Sequence, residues 1–165
     1  MQYLLDANVL IDANRDYYPL DRIPEFWEWL IHQGNEGNIK VPVEIYEEII
    51  QGKDDLVDWL KDADVKTALL LDEDVDIRLV RLATNSGYAT DLTDNEIEKL
   101  GRDPFLIAHA LSDKPNRYVV TTEVSKPGKQ RGNKHIPDVC SAVGVPSCHT
   151  YELLRILNFT TSWKG

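Results

Sequence analysis

Short apolar runs alternate, one at a time, with segments of helical spacing along the whole chain, and this alternation admits few folds. The first run is "QYLL" (2–5). Ile23 to His32, "IPEFWEWLIH", has aromatic and aliphatic residues at helical spacing, Pro24 in its first turn and "QGNEGN" to stop it. "IKV" (39–41) is a second strand, followed by the helix "VEIYEEIIQG" that Pro42 begins and Gly52 closes. "DDLVDWLKD" and "DVDIRLVRLATNSG" read as helices, the second ending near Gly87. "TDNEIEKL" opens with a capping box from Thr93 to Glu96, and Pro104 starts the apolar helix "DPFLIAHAL". "RYVVTT" is the clearest strand. "IPDVCSAVG" reads as a short helix, "VPSCHT" as a last strand and "YELLRIL" as a last helix. Strands alternating with helices predict an α/β/α sandwich: a central, mainly parallel sheet of four or five short strands with helices on both faces. No repeat or low-complexity linker divides the 165 residues, so the reading is a single domain over 1–165.

In a parallel sheet of this kind, ligands sit beyond the carboxyl ends of the strands. Asp6 follows "YLL" directly, and Glu123 lies just past "RYVVTT", so the two are expected at one edge of the sheet. Other carboxylates join them. Asp103 stands at the start of an apolar helix. Glu44, Glu47 and Glu48 share one helix, where Ile45, Tyr46, Ile49 and Ile50 define the apolar face. Glu44 is expected opposite that face, with Glu47 and Glu48 at its edges. Asp138 sits in "HIPDVC". Each acid has an ordinary reading as a helix cap or solvated residue. As a cluster, like charges repel unless a cation holds them. Oxygen donors suit Mg²⁺ or Mn²⁺, the usual equipment for phosphodiester hydrolysis.

The net charge of −10 and pI near 4.8 rule out nucleic-acid binding through the overall field. Any such function needs a local basic patch. "SKPGKQRGNKH" (125–135) supplies one, with Lys126, Lys129, Arg131 and Lys134 and no acid, immediately after Glu123. Two cysteines, Cys140 and Cys148, are too few for a disulfide framework and read as reduced thiols of a cytosolic protein. Together with His135 and His149 they match no common zinc spacing. No apolar run is long enough to span a bilayer, and a first strand beginning at Gln2 leaves no room for a signal peptide.

In order and spacing, nearly the whole chain resembles the PIN-domain proteins, metal-dependent ribonucleases that include many prokaryotic toxins of VapC type. "LLDANVLID" resembles the family's first motif. "VPVEIYEEIIQG" resembles the second, with Glu48 as the match and Glu44 and Glu47 as alternatives. "GRDPFLIAHAL" resembles the third and "VVTTEV" the fourth, with Glu123 where the family often has Asp. The loop before "KHIPDVC" departs from the compact toxins and is closer to a less characterised PIN-like branch, in which Asp138 would join the site.

The resemblance implies an endoribonuclease that uses Mg²⁺ or Mn²⁺, held by Asp6, Glu48, Asp103 and Glu123, and that leaves 5′-phosphate and 3′-hydroxyl ends. It implies that Asn8 orients the site, with Thr121 or Thr122 holding the strand-end acids or the phosphate. The four basic residues would contact the RNA backbone. It further implies an antitoxin partner and a homodimer, with Trp27, Trp29, Trp59 and Trp163 the aromatics available for an interface. Two other classes compete. A haloacid-dehalogenase-like phosphatase also places Asp after its first strand, but it needs a second Asp two residues on, where this chain has Asn8. A PIN fold with a decayed site would only bind RNA or protein.

Overall fold

A computed structural model describes residues 1–165. Five strands, β1 (Gln2–Leu5), β2 (Ile39–Pro42), β3 (Leu70–Leu71), β4 (Arg117–Thr121) and β5 (Ser147–His149), form one sheet in the order β3-β2-β1-β4-β5. Every pairing is parallel. Consecutive strand residues such as Leu4 and Leu5, or Val119 and Val120, are fully buried, so both faces of the sheet are covered.

The covering helices are α1 (Ala7–Asp12), α2 (Pro24–Asn35), α3 (Val43–Ile49), α4 (Asp55–Lys61), α5 (Ala63–Leu69), α6 (Ile77–Leu82), α7 (Asp94–Leu100), α8 (Asp103–Ser112), α9 (Ile136–Val143) and α10 (Thr150–Ile156). Helices α2 and α5 pack on each other and on β2. Helix α8 packs on β1, β4, α3 and α6, and α9 on β4 and β5. One core of 37 buried residues runs through these layers. Trp27 and Trp29 belong to it, and Trp59 and Trp163 pack against it, so the tryptophans stabilise the interior rather than forming an exposed face.

The α/β class and flanking helices agree with the sequence reading, and the sheet proves wholly parallel. Two elements, α5 and β3, were not visible in the sequence. Strand β3 is two residues long, and "ALLL" runs into it directly from α5. Helix α2 also continues through "QGN", the expected stop. A Cβ on Gly34 would lie 2.6 Å from the Ala68 carbonyl oxygen. This glycine admits the close approach of α5 rather than ending the helix.

Two helices continue into π turns, a rare geometry often found at functional sites. Ala13–Tyr17 extends α1, and Ala83–Tyr88 extends α6. Each ends on a tyrosine.

Candidate active site

The sheet order reverses between β1 and β4, which makes this pair the topological switch point where open α/β sheets place their ligands. Leu5 pairs with Val120, and the Asp6 amide donates to the Val120 carbonyl at 2.9 Å. Asp6 therefore leaves the strand beside Thr121. It occupies the N-cap position of α1, yet its side chain does not cap that helix. Its Oδ2 accepts from the Thr121 hydroxyl at 3.0 Å, and Thr121 Oγ1 accepts from the Glu123 amide at 3.2 Å. One buried threonine thus fixes both strand-end acids. Glu123 Oε2 accepts from the Ile136 amide at 2.7 Å, which ties this acid to the start of α9.

Asp103 is the first residue of α8, and no protein donor reaches its carboxylate. The preceding Gly101 has φ 55° and ψ −125°, a conformation closed to side-chain-bearing residues, and it turns the chain from α7 into α8. A Cβ at Gly101 would lie 3.7 Å from Glu48 Oε1, so Glu48 reaches the same corner.

Electrostatics place the four acids together. Burial raises the Asp6 carboxyl to about 7; the Thr121 bond opposes this rise, while the Glu123 and Glu48 charges add to it. Burial, then the charges of Asp6, Glu123 and Glu48, pushes Asp103 up to about 8. Glu48 is raised by burial and eased by Arg102. No three of the acids form a ready-made metal-binding group.

Tyr88, at the end of the second π turn, brings a buried hydroxyl with no hydrogen-bond partner. Burial and the charges of Asp103 and Glu123 raise its phenol strongly. The Cys140 thiol is pushed up to about 12 by burial and by Asp103 and Asp6. A cleft of about 290 Å³ is lined by two of the acids, Asp103 and Glu123, together with Tyr88, Lys99, Lys129, Lys134 and His135.

Other expected residues fall elsewhere. Glu44, expected opposite the apolar face, is buried and its Oε2 lies 2.8 Å from His109 Nε2, so it is occupied inside the α3–α8 contact. Glu47 opens onto a separate surface pocket beside Tyr46 and Lys61. Of the three glutamates, only Glu48 acts on Asp6 and Asp103. Asn8 is exposed and makes no side-chain hydrogen bond, so the orienting role expected of it falls to Thr121.

Thr122 turns the other way, and its carbonyl accepts from His149 Nε2 at 3.1 Å. Asp138 is held outside the cluster by the Ser125 hydroxyl and the Lys126 amide, and those contacts lower its carboxyl. Arg131 binds Glu96 and Asp91, which anchors the 125–135 loop to α7 rather than leaving a cation for a ligand. Lys126 is exposed and does not line the cleft. Tyr88 and Lys99 were missed. Lys99 sits in a polar helix where nothing local marks it, whereas Tyr88 directly after Gly87 was the one available signal.

A doubly wound α/β protein with a carboxylate cluster at its switch point is the class that fold and site define. The chain belongs to the family described as Domain of unknown function (DUF4411), whose model matches residues 3–161. No curated protein and no solved structure matches it. No helix is long and apolar enough to cross a membrane.

Proposed function

We propose that this protein is a metal-dependent endoribonuclease of the PIN-like kind, with Asp6, Glu48, Asp103 and Glu123 as its metal-holding acids. The observation that carries the reading is the cluster itself: four carboxylates at a switch point, two of them raised to about 7 and about 8 by burial and by one another. The donors fit a hard cation. They are carboxylate oxygens beside an orphaned phenol hydroxyl. Bound there, Mg²⁺ or Mn²⁺ would neutralise phosphate charge and activate water.

The chain's own residues do the rest. Thr121 orients Asp6 and sets the backbone of Glu123. Lys99, Lys129 and Lys134 bring positive charge to a surface that is otherwise repulsive to RNA and would bind its phosphates. The Tyr88 hydroxyl, having no protein acceptor, is available to donate inside the site. A toxin–antitoxin setting, a homodimer and a cytoplasmic location belong to this proposal through the resemblance to PIN-domain toxins.

The test is cleavage of a labelled structured RNA in Mn²⁺ and Mg²⁺, with EDTA as control, by wild type, Asp6→Asn and Asp103→Asn. Metal-dependent cleavage lost in both variants supports the proposal. Equal cleavage by all three refutes it. If nothing is cleaved, calorimetric titration with Mn²⁺ separates a binding-only fold with a live acidic site from a site that holds no metal.

A further inference from the structure

A second cleft, of about 170 Å³, opens on the other side of the same strand end. At the tip of β4, Thr121 and Glu123 face the acids, while the intervening Thr122 lines this second cleft. Aromatic rings line it, with the Asp12 carboxylate beside them. Tyr17, at the end of the first π turn, and Tyr151 meet edge to face with ring centroids 5.9 Å apart, and His149 lies 5.0 Å from the Tyr151 ring. Tyr17 is 51% and Tyr151 43% exposed, unusual for rings that have a core available nearby.

The imidazole is fixed. Its Nε2 donates to the Thr122 carbonyl, and its Nδ1 accepts from the Tyr151 amide at 3.3 Å. Both ring nitrogens of His149 are thus engaged by the backbone, which holds the imidazole as a plate beside the Tyr151 ring. The cleft also contains Thr150, 8% exposed, whose hydroxyl has no hydrogen-bond partner. A buried hydroxyl without a partner is costly unless a ligand completes it.

We infer that this cleft holds a nucleobase of single-stranded RNA whose backbone runs through the neighbouring acidic site. The inference rests on the ribonuclease reading and adds the form of the substrate to it. Four features favour a base. No lysine or arginine lines the cleft, which excludes a phosphate. Exposed aromatic rings are the usual platform for an unpaired base. The volume is well below the ~300 Å³ at which sites for larger organic ligands begin. The Thr150 hydroxyl can donate or accept, so it can meet any base edge. A base within a duplex is stacked on both faces and cannot enter, so the strand must be unpaired at this position.

The experiment measures binding of a 5′-labelled RNA hexamer by fluorescence anisotropy, with Ca²⁺ present to neutralise the acids. The probes are the intact hexamer, hexamers with an abasic ribose at each position in turn, and a duplex. Wild type is expected to lose about tenfold or more in affinity when one particular position is abasic, and to bind the duplex poorly. Tyr151→Ala and Tyr17→Ala are expected to bind the intact hexamer about tenfold more weakly and to become indifferent to every abasic position. Tyr151→Phe, which keeps the ring, restores the wild-type pattern.

Wild type indifferent to every abasic position, wild type binding no hexamer, or Tyr151→Ala binding like wild type would each overturn the inference. Parallel cleavage in Mn²⁺ separates the two readings. Metal-dependent cleavage with no base dependence removes only the cleft. Base-dependent binding without cleavage removes only the nuclease.

Discussion

Neutralising one acid should stabilise the metal-free protein. Asp103 is raised further than Asp6, from the ordinary 3.8 to about 8. The folded state therefore holds its proton more tightly than the unfolded chain does. Below about pH 4 both states are protonated and nothing is lost. As pH rises from about 4 to about 8 the unfolded state gains by ionising, and folding stability falls. The gap between pH 7 and 3.8, at about 1.4 kcal/mol per pH unit, gives about 4 kcal/mol. Coupling to Asp6 and water reaching the cleft reduce this to about 2 kcal/mol.

Asn has the shape of the protonated acid without the proton to lose. Asp103→Asn in EDTA at pH 7 should then raise Tm by about 4–8 °C for a chain of this size. The gain should shrink towards zero by about pH 4 and widen towards pH 8. Saturating Mn²⁺ should reverse the order, since only wild type keeps its full ligand set, and metal at about 100 times its Kd adds about 3 kcal/mol. Scanning calorimetry across this pH range decides. An Asn variant less stable than wild type in EDTA at pH 8, or a gap independent of pH, would show that Asp103 is not held in a strained, like-charged cluster.

Three further outcomes follow from the geometry. Glu44→Ala should lower Tm by about 4–8 °C by leaving His109 buried without its partner, at about 2 kcal/mol, whereas Glu48→Gln, which removes one charge from the cluster, should not lower Tm in EDTA and should abolish metal-dependent cleavage; the two measured together separate the structural glutamate from the proposed ligand. Lys129→Ala should reduce the salt slope of RNA binding by about one, while Arg131→Ala should leave that slope unchanged and instead speed proteolysis of the 125–135 loop. Asp138→Asn should likewise loosen that loop while leaving Mn²⁺ affinity by calorimetry at the wild-type value, and a tenfold loss of affinity would make Asp138 a ligand after all.

Three of the clustered acids were legible because each sits where an element begins or ends, and the fourth, Glu48, was singled out among three glutamates by the resemblance. Asp6 and Glu123 follow strands, Asp103 opens a helix, and Glu48 lies at the edge of an apolar face. Where sequence reasoning failed, the deciding partner was distant in the chain. Glu44 is set by His109, 65 positions away, and Arg131 by Glu96, 35 positions away. Helical spacing places a side chain on a face but does not say that a buried partner waits there. Asn8 illustrates the opposite limit, since a polar residue two positions from Asp6 turned to solvent and a threonine from another strand holds that acid. The roles of Tyr88 and Thr150 were not legible for the same reason: only the assembled fold shows that their hydroxyls lack partners.

The strand order also governs the history of the chain as it leaves the ribosome. β1 is made first yet sits in the middle of the sheet, and its neighbour β4 is made more than a hundred residues later. A nascent chain ending after β3 can pair β1 on one side only. It presents the other edge, an apolar "QYLL", as a template for wrong pairing. Asp6 over the same interval has neither Thr121 to orient it nor Glu123 beside it. The protein is therefore most prone to aggregate, and chemically incomplete, until β4 emerges and docks. That single event closes the vulnerable edge and assembles the acidic site.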